Sequence, residues 1–256
     1  MKRKIKIFNK INGLGYAPMA KISPYSKISN KRLRKVKFSF RKTDEYVKKF
    51  STKVNTWLDV GTANGEFIHY LSKEWKKTNF IGLDVTKDFI EVAKKINKNS
   101  RNVKFHCLDI FKANQKKYIS DVVTCLGTLA IFPDPRKFLN KLLNLVNKKG
   151  TLIVDGRINY YDISAQIKYM DDSKKISSNL WRCDYNLHSE KMIRKILSKR
   201  SDIKKIYFKY PSIDTKIPRV KNAPHINNWT IDLKKGYEIT NGLRILHNTG
   251  YLIVVK

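Results

Sequence analysis

The sequence has few cysteines and no long apolar run. Its three cysteines, Cys107, Cys125 and Cys183, form no CxxC pair and show no metal-ligand spacing, which argues against a zinc site or a disulfide framework. No stretch approaches the roughly 18–20 apolar residues needed to span a bilayer. The basic first residues lack the apolar core of a signal peptide. We therefore expect a cytoplasmic protein that holds no metal and does not span a membrane.

Acidic residues are scarce, with 21 Asp and Glu against 54 Lys and Arg, for a net charge of +33 over 256 residues. Clustered positive charge attracts phosphate and favours nucleic acid as a partner. The lysines are spread along the whole chain beside abundant Ile and Asn, however, which is also the pattern of a compositional bias. The charge leaves nucleic-acid binding open without requiring it, and the oligomeric state is equally open.

Residues 54–155 alternate short apolar runs with helical patterns, which is typical of a parallel sheet with right-handed crossovers. This alternation predicts strands at 55–60, 79–84, 103–108, 121–126 and 150–155. It predicts helices at 65–74, 87–97 and 135–147, the last of them ended by the basic residues and glycine of KKG.

The chain outside this core has a different character. Residues 1–50 are basic and rich in turn signals, and we interpret them as an N-terminal lid or docking segment. The core then lies within a main domain, 51–256. Two insertions in that domain, 156–190 and 211–242, are expected to cap a substrate.

The C-terminal part predicts two further strands. One covers 204–210. The closing sequence RILHNTGYLIVVK predicts a hairpin with its turn at NTG. Because no helix follows 250–255, that strand is expected to be antiparallel and at the edge of the sheet.

Small and acidic residues follow the first predicted strands. In the turn GTANG, Gly61 allows a sharp bend and Gly65 allows a helix to start close to a ligand, with free N–H groups that favour an anion. Asp59 precedes the turn. Asp84 follows the next strand, where it can accept both hydroxyls of a ribose, and Asp109 follows the third, where it can accept from an adenine amine. A tight turn without a ligand explains the glycines alone, but not the acids at three successive strand ends.

The same residues resemble the class I S-adenosylmethionine-dependent methyltransferases. LDVGTANG resembles the first motif of that family with Ala63 in place of the usual middle glycine, FIGLDVTKDFIEVAKK the second, HCLDI the third, DVVTCLG the fourth-strand motif and KKGTLIVDG the fifth strand. The resemblance implies a Rossmann-like α/β fold, doubly wound, with a mostly parallel seven-stranded sheet and an antiparallel last strand. It implies S-adenosyl-L-methionine as cofactor, held by Asp59, Gly61, Asn64, Gly65, Asp84, Val85, Asp109, Ile110, Leu126 and Gly127.

The acceptor is less clear from the sequence. FPDP at 132–135 resembles a segment of tRNA guanine-N7 methyltransferases, which also carry GEF and FIG, but the Trp, Lys and His expected after it are absent. A helix start at Asp134–Pro135 explains the same residues. LWRCDYNLHS, NNWTIDL and ITNGLRIL weakly resemble small-molecule methyltransferases. A small metabolite such as a sugar is therefore the first hypothesis. RNA is the second, and a non-catalytic or aminopropyl-transferring protein is the third.

Three side chains are candidates for a general base. Asp155 ends the fifth strand at the edge where open α/β sheets bind ligands. His188 precedes a helix, and His225 lies in the proline-rich insertion. Each also has a structural alternative, as a turn or cap residue, as a helix-start partner or as a solvated loop residue respectively.

Overall fold

The computed structural model describes residues 33, 36–169, 183, 185–219, 228–234, 236–242, 247 and 249–256. The strands are β1 (Thr56–Val60), β2 (Asn79–Asp84), β3 (Val103–Cys107), β4 (Ser120–Leu126), β5 (Val146–Gly156), β6 (Ile158–Asn159), β7 (His188–Ser189), β8 (Lys205–Lys209), β9 (Trp229–Leu233), β10 (Gly236–Thr240) and β11 (Gly250–Val255). The helices are α1 (Phe38–Phe50), α2 (Glu66–Glu74), α3 (Lys87–Ile96), α4 (Gln115–Tyr118), α5 (Arg136–Asn144) and α6 (Glu190–Leu197). No helix among these residues is long and apolar enough to cross a membrane.

Seven strands form one sheet in the order β3-β2-β1-β4-β5-β11-β8. β1 to β5 are parallel, and β11 is antiparallel to both of its neighbours, β5 and β8. This is the doubly wound, mostly parallel sheet with an antiparallel last strand that the motifs predict. The point at which the strand order reverses lies between β1 and β4, so the ligand is expected above these two strands.

The prediction that the last strand lies at the sheet edge is wrong. β11 is bonded on both sides, to β5 from Gly250 to Val255 and to β8 from Tyr251 to Val255. For the same reason it has no free edge for a hairpin partner, which corrects the hairpin prediction as well. Most of RILHN lies outside the described residues, and His247 makes an isolated bridge to Ile239 instead.

The strands are apolar on both faces because helices cover both faces. On one side, α1, α2 and α3 pack on a cluster that contains Trp57, Phe80 and Ile253. On the other side, α5 and α6 pack on a cluster that contains Leu58 and Leu152. Asp59 follows Trp57 by two residues in β1, so both side chains lie on the same face of the sheet. Helices cover that face, and the Asp59 carboxylate is therefore buried.

The predicted helix over 135–147 is shorter in the structure. α5 ends at Asn144, and β5 starts two residues later, so KKG belongs to a strand. Lys149 takes the left-handed conformation with φ of 64°. The apolar pattern of FLNKLLNLV extends past the helix, because Leu145 and Val146 are buried although they follow its end. The predicted helix was therefore too long.

The described part of the chain has four short strands outside the large sheet. β6 pairs with β7 in parallel, and β9 pairs with β10 antiparallel. Asn186 fastens this region to the core, since its backbone N–H and its Nδ2 both donate to the carbonyl oxygen of Ala130 after β4, at 3.0 and 2.7 Å. These segments fall within the two stretches predicted to form a cap, and β6 extends directly from the carboxyl end of β5.

We predict that Gly150→Ala destabilises the protein by about 1–3 kcal/mol, as other overpacked sites do. A Cβ at Gly150 would lie 2.7 Å from the carbonyl oxygen of Asp121 and 2.9 Å from that of Asn147. Gly156→Ala in the same strand is the matched control, because its Cβ would meet only Leu129 at 3.6 Å. Urea unfolding of both variants measures the difference, and equal midpoints would contradict the close approach.

Candidate active site

The loop after β1 is built from alternating residues in the left-handed backbone region. Gly61, Ala63 and Gly65 have φ of 74°, 47° and 70°. Gly61 is required for a second reason, because a Cβ there would lie 2.2 Å from Thr128 Oγ1. Its N–H donates to the carbonyl oxygen of Leu83 at 2.8 Å. The loop is thereby closed against the ends of β2 and β4.

Gly65 brings α2 close to the sheet. A Cβ at this position would lie 2.8 Å from the Phe105 ring and 2.9 Å from Ala93 Cβ. Asn64, before it, is only 2% exposed and therefore lies beneath the loop rather than on its open side. Ala63, which stands where the resembled family has a glycine, takes this left-handed conformation at a cost to an L-residue of about 1–2 kcal/mol relative to glycine.

Asp84 is held in one orientation by the backbone. Its Oδ2 accepts from the Ala63 N–H at 2.9 Å and its Oδ1 from the Thr86 N–H at 2.8 Å. Burial raises the pKa of Asp84, while these donors act in the opposite direction. The Thr86 hydroxyl and the Val85 N–H also act to lower this pKa, so several neighbouring donors hold the half-buried carboxylate in place.

The ends of β2 and β3 present apolar surface beside these acids. Val85 and Phe111 are each 40% exposed, although large apolar side chains are usually covered. Asp109 Oδ1 accepts from the Phe111 N–H at 3.0 Å and so starts a short 3₁₀ turn. Ile110 points inward and is buried. The sequence analysis did not single out Phe111, although it directly follows the Asp109–Ile110 pair.

Asp59 lies below the loop and is 3% exposed. Thr124 Oγ1 donates to its Oδ1 at 2.8 Å, and Trp57 Nε1 is 3.0 Å from the same hydroxyl. Burial raises the pKa of Asp59 to about 7, and the charges of Asp84 and Asp155 add to the rise. Asp84 and Asp155, each from a different strand, therefore both lie within electrostatic reach of Asp59.

The end of β5 is tied to the loop after β4. Asp155, 6% exposed, accepts from the Gly127 N–H at 2.5 Å. Burial raises its pKa to about 6, while this bond and the charge of Arg157 act to lower it. Leu126 is half-buried at the end of β4, and the space where a Gly127 Cβ would lie has no atom within 4 Å.

The three candidate bases are in different surroundings. Asp155 lies beside the loop that carries Gly127. His188 is 1% exposed, its Nε2 is buried, and its burial lowers the pKa of the imidazole. His225 lies outside the described residues. The structure thus brings Asp155 to the predicted cofactor residues and encloses the ring of His188 in protein, and the catalytic roles themselves stay predictions.

Two residues that the sequence analysis missed join these parts. Thr128 packs on Gly61, and Arg157 stacks on Tyr185, with the guanidinium carbon 3.2 Å from the ring centroid. Neither position has a motif that could have revealed it, because both contacts join residues distant in sequence.

Within the described residues no group of three His, Cys, Asp or Glu side chains could hold a metal ion, and all three cysteines are unpaired.

Comparison with known families adds an independent finding. A family model described as "Methyltransferase domain" matches residues 51–209, which is more than half of the chain. The match contains all the strand ends described above.

Proteins with similar sequences are named for different methyl acceptors. A tRNA (guanine-N(7)-)-methyltransferase of Prochlorococcus marinus subsp. pastoris is 33% identical over 113 residues, covering 38% of this chain and 53% of that protein. A ubiquinone biosynthesis O-methyltransferase of Coxiella burnetii is 25% identical over 136 residues, covering 53% of each. The chain thus spans about half the length of the curated relatives it matches.

Among solved structures, a plantazolicin methyltransferase, BpumL, in complex with a triazolic desmethylPZN analog and SAH, superposes over 100% of this chain and 90% of its own. The TM-score is 0.55 at 16% sequence identity. At this identity the likeness supports the fold alone.

Proposed function

The chain belongs to the methyltransferase domain family, and on that premise we propose that it transfers the methyl group of S-adenosylmethionine to an oxygen or nitrogen of a small hydroxylated metabolite, with a sugar as one candidate. The observation that carries the proposal is the set of three carboxylates, Asp59, Asp84 and Asp155, around the loop that Gly61 closes. Their negative field suits a cofactor that carries a sulfonium and an ammonium group.

The residues at the strand ends fit the nucleoside part of this cofactor. The oriented carboxylate of Asp84 would accept the ribose hydroxyls. Val85 and Phe111 would offer apolar surface to adenine, and Asp109 would accept from its amine. No atom lies within 4 Å of the position of a Gly127 Cβ, so the end of β4 is open at this residue, where a ligand would lie. Asn64 and Gly65 complete the loop below it.

The bound cofactor supplies a methyl group on a good leaving group, so the protein mainly has to align the acceptor and exclude water. The segments beyond β5 would do this if they form a cap, and two contacts support that role: β6 pairs with β7, and Asn186 binds the Ala130 carbonyl after β4. A hydroxyl acceptor also benefits from a base. We assign that role to Asp155 in preference to the more deeply buried His188 and to His225.

We predict that Asp84→Ala weakens binding of adenosylhomocysteine by about 1–3 kcal/mol, because the charged hydrogen bonds to the ribose are removed. Asp88→Ala, an exposed acid in the first turn of α3, is the matched control and should leave affinity unchanged. Calorimetry measures both. Unchanged affinity of the Asp84 variant would refute the ribose assignment, and absence of binding to the wild-type protein would refute the cofactor. Release of labelled methyl groups in an acceptor screen then distinguishes transfer from cofactor binding alone.

Asp155 as the base implies a pH dependence. Because a base must be deprotonated, activity on an identified hydroxyl acceptor should rise as pH increases through about 6. Asp155→Asn should remove this rise and lower kcat by about 10²–10⁴-fold. Its affinity for adenosylhomocysteine should be largely retained, since the amide oxygen can still accept from Gly127 and this product lacks the sulfonium charge on which the Asp155 carboxylate would act. A variant that keeps wild-type kcat and pH profile would exclude Asp155 as the base.

RNA is the second candidate acceptor, and a groove between α5 and α6 favours it. The groove has a volume of about 560 Å³ and is lined by the basic side chains of Arg136, Lys195, Lys199 and Arg200 together with the Pro133–Pro135 segment. α5 begins at Arg136, whose guanidinium and backbone N–H bind the Asp134 carboxylate. The FPDP sequence therefore has a helix-start role, one residue later than predicted, and also borders the groove.

A salt titration with a tRNA probe separates the two acceptors. If RNA is the acceptor, the double substitution Lys195→Gln and Lys199→Gln should weaken binding and reduce the salt slope by about 0.7 for each phosphate that the lysines neutralise. Lys76→Gln with Lys77→Gln, an exposed pair after α2, removes the same charge elsewhere. Equal effects of the two pairs would mean nonspecific attraction, which supports the small acceptor.

A further inference from the structure

We propose that Arg157 is the anion-binding residue of the acceptor site, and that the acceptor therefore carries a carboxylate or a phosphate group. This inference rests on the proposed methyl transfer and names the chemical class of its substrate. Arg157 stands between β5 and β6, two residues after Asp155, at the carboxyl end of the fifth strand of the sheet.

Arg157 is held firmly in place. Its guanidinium stacks on the face of Tyr185, a ring that is 4% exposed. The Tyr185 hydroxyl donates to Asn228 Oδ1, and the rings of Tyr169 and His247 pack edge-on against it at centroid distances of 6.3 and 6.1 Å. A cation fixed over a buried aromatic ring is preorganised, because its side-chain freedom is already restricted before a ligand binds.

The same guanidinium lacks an anionic partner among the described residues. Its Nε is buried and has no hydrogen-bond acceptor. The ion pairs found in this part of the chain join other arginines to carboxylates, and none includes Arg157. Arg200, the other half-buried arginine described, contrasts with it, because Arg200 contacts the Asp202 carboxylate at 2.7 Å and Asn144 at 2.8 Å.

Asp155 does not fill this gap. The charge of Arg157 acts on Asp155, as the effect on its pKa shows, yet the carboxylate is engaged by the Gly127 N–H and forms no ion pair with the guanidinium. A partly desolvated guanidinium without an acceptor is costly. Its planar fork of donors matches carboxylate and phosphate oxygens, so an incoming anion would remove that cost.

The position relative to the cofactor residues makes this an acceptor contact. Gly127 borders the open space at the end of β4, Asp155 binds Gly127, and Arg157 follows Asp155. An anionic group held at Arg157 would therefore anchor one end of an acceptor whose nucleophile is presented to Asp155. Arg157 is in this proposal a binding residue that decides which acceptors are held.

The test uses the full chain saturated with adenosylhomocysteine and follows the arginine Nε–H resonances by NMR. Acetate and inorganic phosphate are titrated separately, and Arg157→Lys assigns the Arg157 signal. We expect a saturable shift of Arg157 at concentrations about tenfold below those that move Arg101, an exposed control. The anion that saturates first tells carboxylate from phosphate. A shift no stronger than that of Arg101, with both anions, overturns the proposal.

A second measurement separates binding from a purely structural role. Hydroxylated acids and their amides are compared as acceptors for the wild type, Arg157→Gln and Arg157→Lys. The preference for acid over amide should fall about tenfold in the Gln variant and less in the Lys variant, mainly through KM. An unchanged preference would contradict an acceptor contact. If adenosylhomocysteine binds but neither anion does, only this inference fails. If adenosylhomocysteine does not bind, the proposed function fails, and the anion titration still tests whether Arg157 binds an anion.

Discussion

The close approach of Gly61 to Thr128 is the contact on which the site depends. It joins the loops of β1 and β4 at the place where the strand order reverses, and any side chain at Gly61 would occupy the space of the Thr128 hydroxyl. From there the contacts continue through Gly127 to Asp155, and from Arg157 to Tyr185. The proposed cofactor loop and the region above the sheet are thus connected through neighbouring residues on two adjacent strand ends.

Buried acids are the second constraint. Asp59 and Asp155 lose most of their hydration, and their neighbours compensate only in part, through Thr124 for Asp59 and the Gly127 N–H for Asp155. Their raised pKa values measure the remaining cost. A cationic ligand would stabilise the ionised forms, so the cost of burying these carboxylates is offset when such a ligand binds. The net charge of +33 does not prevent this, because Asp84 and Asp155 lie within electrostatic reach of Asp59 at the strand ends while described lysines such as Lys76 and Lys77 are exposed.

Most strand and helix positions in 54–155 were predictable because local periodicity determines them; the short helix α4 and the early start of β5 at Val146 were not. Asp59, Asp84 and Asp109 were predictable as acids at one edge of the sheet, since parallel strands bring their carboxyl ends to the same edge. The electrostatic coupling of Asp155 to Asp59 was seen only in the structure. Failures occurred where burial came from distant residues. KKG was predicted to end a helix, but β5 already starts before it, at Val146, which pairs with Ser120 of β4. Likewise β11 was placed at the edge, because no sequence pattern reports that β8 would pair beyond it.

The amino-acid sequence by itself therefore determined the fold class, the glycine loop and the acids that surround it, because each depends on residues within one strand–loop–helix unit. The tertiary structure alone decided the contacts of Thr128 with Gly61 and of Arg157 with Tyr185, and the enclosure of the His188 ring. Those depend on which segments meet across the sheet, and long-range packing leaves no periodic trace in the chain.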